Sequence, residues 1–298
     1  MSRRGVLLFS AMSLIWGMPY LFIKVAVKEL SPAVVVAGRT SLAALVLVPL
    51  AARAGALRPA LAHWRPLLAF TVIELAIPWV LLTDAERRIP SGLSGLLVAT
   101  VPLAGTVVAF TLGDRSALAP ERIIGLAVGM AGVACIVGFD LAGGSGTWRS
   151  VLEIMGVAIG YAVAPFIADR HLRDVPTLGV VAASLACVAL LYIPIAIAVR
   201  PDHIPSGNVI AAMVALASIC TGVAFMIFFA LIAEIGPTKA TLITFINPAV
   251  AVLLGVAVRG EAFTLTTAAG FVLVLIGCRL ATSGLPRRDP KPVVVAQA

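Results

Sequence analysis

The 298-residue sequence predicts an all-α integral membrane protein with ten transmembrane helices, arranged as two inverted repeats of five helices around a central cavity. Three observations predict this class. Hydrophobic residues make up 61% of the chain and charged residues 12%, whereas soluble domains average roughly 45–50% and about 25%. Apolar runs of about 20 residues, the length that crosses a bilayer, recur along the chain. The two halves of the chain also resemble each other.

The predicted spans follow the apolar runs, and their boundaries carry an error of a few residues. They cover residues 5–27, 32–52, 66–83, 91–112, 120–139, 150–168, 177–199, 208–232, 237–258 and 264–283. The third and sixth spans have the weakest signal because they contain Glu74 and Glu153. Arg3 and Arg4 before an apolar run would suit a signal peptide, but no A-x-A cleavage motif follows, so we expect a retained first helix.

The internal repeat rests on matched residues at one spacing. Trp16 and Tyr161 are 145 residues apart, and Pro102 and Pro248 are 146 apart. Because five is odd, the second copy crosses the membrane in the opposite sense, which is the common architecture of secondary transporters. The predicted organisation is a first repeat at 1–139, a linker at 140–149, a second repeat at 150–283 and a disordered cytoplasmic tail at 284–298.

The orientation is predicted from lysine and arginine in the loops. With ten spans, 14 of the 22 basic residues lie on the side of the N-terminus and seven on the other, and Arg39 falls within the second span. This bias predicts that both termini are cytoplasmic. The net charge of +8 is therefore assigned to orientation and lipid headgroups, and nucleic acid is not an expected partner.

An ordered set of short motifs occurs in both halves. The set comprises Trp16-Gly17, Lys24, Pro32, Arg39, Pro102, Gly113-Asp114-Arg115 and Gly125, then Asn247-Pro248, Gly260-Glu261 and Gly270. With this set the chain resembles the EamA group of the drug/metabolite transporter superfamily over nearly its whole length, although Asp114 stands where that group usually has Glu. The resemblance implies a multi-pass protein of the bacterial inner membrane that exports metabolites. Within the group the chain is most similar to exporters of aromatic and other amino acids.

Glu74 is the sharpest single feature, because it lies near the middle of the third span. An ionisable group there costs about 2.5–3.5 kcal/mol on insertion scales, so it should face a cavity or a partner. One hypothesis is that Glu74 binds the amino group of a substrate, or a proton. The alternatives are a structural carboxylate paired with Arg39 or hydrogen-bonded to a neighbouring helix, and a protonated, inert side chain.

Prolines within the spans predict helix bends. Pro102 and Pro248 occupy equivalent positions of the two repeats, and Pro78 lies in the third span. Proline frees a backbone carbonyl, which in a membrane must be satisfied by neighbours or must line a cavity. The matched pair therefore predicts bends that meet across the pseudo-two-fold axis and serve gating, with ordinary helix curvature as the alternative.

Aromatic residues form only 6% of the chain, so their positions are informative. The candidates for lining the cavity lie in the spans to which the resemblance assigns that role: Trp16, Tyr20, Trp79, Tyr161, Phe225 and Phe245. Lipid contact or a place in the interfacial belt is the alternative. Asn247 beside the second bend is a candidate to hydrogen-bond substrate. Lys24 and Arg39 are expected to extend to the interface, with carboxylate binding left open.

Glycine spacing predicts helix contacts. Gly125, Gly129 and Gly132 lie close to one face of the fifth span, and Gly156 and Gly160 lie on one face of the sixth. Small residues let helix backbones approach in a bilayer. We expect these contacts within one chain, and a dimer interface is the alternative.

The sequence predicts neither a metal site nor a cofactor nor an enzyme. The four cysteines all lie in apolar spans, the three histidines lack metal-ligand spacing, and no G-x-x-x-x-G-K-[ST] motif is present. We therefore expect a secondary transporter that exports amino acids or similar small metabolites by alternating access, as a monomer or weak dimer whose partners are that substrate and membrane lipids. A multidrug, cation or sugar-phosphate carrier of the same superfamily, a channel and, last, a membrane enzyme are the alternatives.

Overall fold

The computed structural model describes residues 2–113, 115–140, 145–236, 240 and 243–281, and every regular element among them is helical. The helices are α1 (Arg3–Gly17), α2 (Pro19–Ala26), α3 (Pro32–Arg53), α4 (Leu57–Ala62), α5 (Trp64–Thr71), α6 (Ile77–Ala85), α7 (Ser91–Val98), α8 (Val101–Thr111), α9 (Pro120–Asp140), α10 (Ser145–His171), α11 (Thr177–Ala198), α12 (Gly207–Ala217), α13 (Ala224–Ile235), α14 (Ile243–Arg259) and α15 (Leu265–Ala281). Two π-helical segments, Val72–Ala76 and Ser218–Val223, join α5 to α6 and α12 to α13.

The helices confirm the all-α membrane class. Seven helical stretches within the described residues are long and apolar enough to cross a bilayer: Arg3–Ala26, Pro32–Arg53, Trp64–Ala85, Ser91–Thr111, Trp148–His171, Thr177–Ala198 and Gly207–Ile235. Shorter apolar helices occur at Ile246–Arg259 and Leu265–Ala281, and α9 contributes a further apolar helix. The ends of the seven long stretches fall within a few residues of the predicted spans. The count of ten and the orientation stay predictions.

Two of these stretches are discontinuous where proline follows. Helix α1 ends at Gly17 and α2 begins at Pro19. Helix α7 ends at Val98, and α8 begins at Val101 with Pro102 in its first turn. A proline has no N–H to continue the ladder of the preceding helix but is well accommodated at a helix start. Pro248, the repeat equivalent of Pro102, lies inside α14 as described, so the two prolines differ in local structure.

Glycines join α9 to α15 in a close helix contact. A Cβ atom on Gly125 would lie 2.3 Å from the Ala281 nitrogen, and one on Gly277 would lie 2.4 Å from the Gly129 nitrogen. Likewise, a Cβ on Gly132 would meet the Gly270 carbonyl oxygen at 2.7 Å. The predicted face of the fifth span therefore packs within the chain, as expected from small residues in a bilayer.

An ionic network fixes one end of α10 to α6. Arg88 contacts Asp84 at 2.8 Å and also pairs with Glu153, and Arg149 contacts both carboxylates at 2.8 Å. The charge of Glu153, which weakens the apolar signal of the sixth span, is thus neutralised at the span end. Helix α10 begins at Ser145, inside the segment predicted as a linker. Residues 141–144, Asp114 and the predicted tail from 284 lie outside the described residues.

Candidate functional site

Two π-helical segments flank the middle of the bundle at equivalent positions of the repeat. Val72 and Ser218, their first residues, are 146 residues apart, the same spacing as Pro102 and Pro248. The first segment carries Glu74, and the second carries Thr221. Single π-helical turns inside α-helices are frequent at functional sites because they redirect side chains and free backbone groups.

The two π-helical segments have different local causes. In the first, the Ile77 N–H donates to the Val72 carbonyl, and Pro78 has no N–H to offer Ile73. The Ile73 carbonyl therefore faces α10, where a Cβ on Gly160 would lie 2.5 Å from its oxygen. In the second, the Thr221 hydroxyl donates to the Leu216 carbonyl at 2.9 Å and so interrupts the ladder. Pro78 and Gly160 thus shape one side of the site.

Arg39 lies inside the bundle and not at its surface. Its guanidinium centre is 3.7 Å from the centroid of the Trp79 ring, its Nε donates to the Thr221 hydroxyl at 2.8 Å, and only 9% of the residue is exposed. No described carboxylate forms an ion pair with it. The expectation that Arg39 extends to the interface was wrong, because a ring face and a hydroxyl hold the cation at the centre of α3.

Glu74 also lies deep in the bundle, among helices α5, α6 and α10. Its Oε2 atom is buried without a hydrogen-bond partner among the described residues, while the residue as a whole keeps some accessible surface. It does not pair with Arg39. An unpartnered carboxylate oxygen in such a place carries a large desolvation cost.

Two tyrosines and a tryptophan lie close to these charged residues. The Tyr161 side chain interacts electrostatically with both Glu74 and Arg39, and it forms a side-chain hydrogen bond with Trp79. Tyr20 lies close enough to interact with both Tyr161 and Arg39. We call Tyr20, Arg39, Glu74, Trp79, Tyr161 and Thr221 the central cluster. It unites four of the sequence-predicted residues with two that were not predicted as site residues.

A second aromatic group surrounds Trp16 at the C-terminal end of α1. The Trp16 ring centroid is 4.7 Å from that of Phe228 and 6.0 Å from that of Phe225, the latter in an edge-to-face arrangement. Phe225 also stacks on Phe229 at 6.2 Å. Trp16 and Phe225 are the repeat equivalents of Tyr161 and Trp79, so each repeat supplies the same pair of ring positions. The Phe245 side chain lies outside the described part of the chain.

Asn247 joins α14 to α1. With its amide nitrogen turned toward α1, it donates to the Ser13 carbonyl at 3.1 Å and to the Ile243 carbonyl at 2.9 Å. Close to it, a Cβ on Gly17 would lie 2.4 Å from the Val250 side chain. The amide thus bonds helix to helix, and Asn247 is not part of the central cluster.

Thr221 was not predicted as a site residue from the sequence, and Arg39 was predicted to lie at the membrane interface. A usable signal was present for Arg39: it lies well inside an otherwise apolar span, eight residues from Ser31 at one end and 14 from Arg53 at the other. Thr221 gave no such signal, because threonine is common in apolar helices and only the three-dimensional contact marks it.

Comparison with known proteins decides the family. The model of the EamA-like transporter family matches the chain twice, at residues 3–138 and 148–283. The chain belongs to the EamA-like transporter family. It is 29% identical over 290 residues to the Escherichia coli K12 protein named uncharacterized inner membrane transporter YedA, covering 95% of this chain and 92% of YedA. The YedA proteins of the O6:H1 and O157:H7 strains match at the same identity.

A solved protein crystal structure has the same fold. It superposes with a TM-score of 0.65 at 22% identity, covering 93% of this chain and 96% of the other. The EamA-like transporter described here is therefore a multi-pass protein of the inner membrane. The predicted family is confirmed, while the narrower subgroup of amino-acid exporters stays a prediction.

Proposed function

We propose that this EamA-like transporter exports zwitterionic amino acids, and that Arg39 and Glu74 bind the two charged ends of the substrate. The single observation that carries the proposal is the pair of opposite, separately held charges in the central cluster. Arg39 is positioned by a ring and a hydroxyl and has no described carboxylate partner. The Glu74 Oε2 atom has no described donor.

The chemistry of these groups fits an α-amino acid. Guanidinium forms paired hydrogen bonds with a carboxylate, and among the described residues Arg39 donates a hydrogen bond only from its Nε. A carboxylate accepts from an ammonium group in the same way. Hydrogen bonds to charged groups contribute about 1.5–3 kcal/mol each. The Trp79 ring on Arg39 and the Tyr161 ring near both charges supply an apolar surface for a side chain.

A cationic drug fits this cluster less well. An organic cation could approach Glu74 and the aromatic faces, but the Arg39 guanidinium would repel it in a site of low dielectric. A carrier of dianionic phosphates would need more than one basic residue, and Arg39 is the basic member of the central cluster. The zwitterion satisfies both poles at once, which favours it over the other substrates of the superfamily.

Alternating access follows the predicted inverted repeat. The two π-helical segments at equivalent positions supply flexible points on either side of the central cluster, which is the arrangement expected of a site that opens to each face in turn. In this proposal the substrate binds from the cytoplasm and leaves on the other side. No step requires a cofactor, and the driving gradient is that of the substrate or of protons.

Counterflow in proteoliposomes tests the proposal with three matched probes. Phenylalanine, phenethylamine and 3-phenylpropionate share one ring, but the second lacks the carboxylate and the third lacks the ammonium group. We expect internal phenylalanine to drive uptake of labelled phenylalanine, and neither analogue to replace it. Arg39→Gln and Glu74→Gln should each abolish counterflow, whereas Arg170→Gln, at an exposed position near the end of α10, should not.

Equal counterflow with phenethylamine would contradict the proposal and favour a cation carrier. Flux without counterflow or saturation would favour a channel. If a wider panel of amino acids also gave no counterflow, the amino-acid function would be wrong, and nucleotides, sugars and drug-like cations would be tested next.

A further inference from the structure

The far end of the bundle, which is the end opposite the N-terminus, carries a contact between the two repeats. The Glu261 carboxylate accepts from the Ser91 N–H at 3.0 Å, the Ser91 hydroxyl at 2.8 Å and the Gly92 N–H at 3.0 Å. It thereby caps the N-terminus of α7, where a negative charge is favoured. We call Ser91, Gly92 and Glu261 the far-end contact.

Helices α7 and α14 pack without a gap below the far-end contact. A Cβ on Gly95 would lie 2.7 Å from the Ala251 Cβ, and one on Gly92 would lie 3.3 Å from the Val252 Cα. All residues from Ser91 to Leu97 are buried. The inner half of the same stretch, α8, packs chiefly on α10 and α15 instead. The described state is therefore closed between α7 and α14 at the far end.

Lys24 binds the turn that precedes α7. Its Nζ donates to the Glu86 carbonyl at 2.6 Å and to the Ile89 carbonyl at 2.8 Å. These bonds tie α2 of the first stretch to the turn between α6 and α7. The ammonium group is thus held by backbone oxygens, and no described carboxylate oxygen lies within ion-pair distance of it.

The Glu86 side chain is the unusual group of this end. The residue is 0% exposed, and neither of its carboxylate oxygens has a hydrogen-bond partner among the described residues. The charged and titratable groups that face it are Lys24 and Tyr20 on α2 and Glu261 after α14. Burial, with a smaller contribution from the Glu261 charge, raises the pKa of the Glu86 carboxyl well above its usual range, against the attraction of Lys24.

Other charged residues lie near this end of the bundle. The Arg259 guanidinium lies 3.9 Å from the Glu261 carboxylate. The positive charges of Arg259 and Lys28 repel that of Lys24. On the α10 side, Arg88 and Asp84 belong to the ionic network with Arg149 and Glu153. A fully buried carboxyl without a hydrogen bond takes up a proton when the cost of burying its charge outweighs the attraction of the neighbouring cation, which here is Lys24.

We propose that Glu86 is a proton-binding site linked to closure of the far end: Glu86 binds one proton when α7 and α14 close and releases it to the solvent of that side when they separate. In the open state water reaches the carboxylate, which ionises and lies beside the Lys24 ammonium group. Only a proton is exchanged, so the carboxyl gains or loses one unit of charge and no other bond changes. With the predicted orientation, that side is the outside of the cell.

The sign of the pH dependence follows from this linkage. The closed state binds the extra proton over the range from the ordinary carboxyl pKa, near 4.3, up to the raised pKa of Glu86. Lowering the pH through that range stabilises the closed state, and raising it favours opening. A single linked proton changes the open-to-closed ratio by at most about tenfold per pH unit.

Thiol labelling of the full chain tests the proposal without any substrate. Val252 on α14 is buried, and its side chain would lie 3.5 Å from a Cβ on Gly92 of α7. With the four native cysteines replaced by alanine, Val252→Cys reacts with a maleimide only when α7 and α14 separate. Its rate in detergent micelles is divided at each pH by that of Ala262→Cys, an exposed position, which removes the pH dependence of the thiol itself.

We expect the normalised rate to rise with pH by up to about tenfold per unit. Adding Glu86→Gln, which mimics the protonated group, should give a slow rate with no pH dependence. Asp202→Asn, at an exposed far-end position, and Glu261→Gln, which weakens the far-end contact, should both keep the slope. A flat profile in the Val252→Cys chain, or an unchanged slope in Glu86→Gln, would overturn the proposal.

A second variant covers the case in which Glu86→Gln does not fold. Glu86→Asp retains a titratable carboxyl and should keep the slope of the labelling rate against pH. Loss of this slope in Glu261→Gln would show that Glu261 and not Glu86 binds the linked proton, and would overturn the proposal. Because no substrate is present, a failure of the amino-acid function leaves these outcomes unaffected.

Discussion

Replacing Arg39 by methionine distinguishes two roles for this buried charge: stabilising the fold or binding a ligand. A residue that holds the fold together should lower stability when it is removed. A cation that is kept in the bundle for a substrate behaves in the opposite way, because its burial is a cost to the empty protein. The two possibilities therefore predict opposite changes in the free energy of unfolding, and the contacts of Arg39 allow both sides to be weighed.

Two contacts are lost in Arg39→Met. The stacking on Trp79 at 3.7 Å contributes about 2 kcal/mol when the pair is desolvated. The bond to Thr221 contributes about 1.5–3 kcal/mol as a charged hydrogen bond. The Thr221 hydroxyl is not left unpaired, because it still bonds to the Leu216 carbonyl at 2.9 Å. Against this loss stands relief from burying an unpaired cation, which is several kcal/mol in folded proteins.

The terms nearly cancel, so we expect Arg39→Met to unfold within about 1 kcal/mol of the unmodified protein, or to be more stable. Amino-acid transport should behave differently. Removing one partner of a buried, hydrogen-bonded charge pair costs about 2–5 kcal/mol of binding, so the half-saturating substrate concentration should rise by about 30-fold or more.

The matched control is Arg88→Met, an arginine whose charge is fully paired. It contacts Asp84 and Glu153 at the end of the α6–α10 contact, so its removal leaves two carboxylates close together. We expect a loss of about 2 kcal/mol in stability and normal half-saturation in the folded fraction. Denaturant unfolding in detergent and counterflow on the same preparations give both quantities. If Arg39→Met lost more than about 2 kcal/mol and still transported, the reasoning would be refuted.

Three further predictions concern other parts of the bundle. Glu74→Gln should leave stability unchanged or raise it, and should reduce phenylalanine counterflow at least as strongly as Arg39→Gln; normal counterflow with a normal pH profile would remove Glu74 from the site. Gly277→Ala should destabilise the protein by about 3 kcal/mol, because the added Cβ would overlap the Gly129 backbone at 2.4 Å. Its control is Gly105→Ala, where the added Cβ has no atom within 4 Å, and this variant should be about 0.5–1 kcal/mol more stable in the same unfolding assay. Hydrogen bonds from Ser206, and to a smaller extent the charge of His203, lower the pKa of the Glu29 carboxyl. The stability that this carboxylate contributes is therefore present above its unfolded pKa and is lost as the pH falls through its folded pKa. The Glu29→Gln variant should lack this loss of stability in an acid titration, and an unchanged acid profile would contradict the assignment.

The positions of the helices were predictable because they depend on local composition. A bilayer requires about 20 apolar residues in a row, and the apolar runs that meet this length end at charged or proline-containing turns such as Pro32 and Pro90. The discontinuity before Pro102 was predicted for the same local reason. The break before Pro19 could also have been predicted, because Gly17 and Pro19 both disfavour a helix interior. It was not predicted, because the apolar run continues through these residues without interruption.

The central cluster was predictable only in part, because burial and pairing are properties of several helices together. Glu74, Trp79 and Tyr161 were identified from charge, rarity of aromatics and the repeat spacing. Whether Arg39 reaches the interface or the Trp79 ring depends on the rotation of α3 against α6 and α12, which hydropathy does not determine. Glu86 gave even less signal, because a carboxylate just after a span normally faces water, and only the packing of α2 and the far-end contact around it reveals its burial.

The acidic and basic side chains of this bundle fall into two classes according to how their charges are satisfied. At the α6–α10 end, Asp84 meets three guanidinium groups and Glu153 meets two, and such a network needs nothing from outside the chain. Arg39, Glu74 and Glu86 instead keep hydrogen-bonding capacity that no described group uses. A buried charge without a partner opposes folding, so a fold that retains three of them within one bundle gains only if something else completes them. For Arg39 and Glu74 that partner has two opposite charges, which is the definition of a zwitterion. For Glu86, whose two carboxyl oxygens have no described donor, the smallest sufficient partner is a proton.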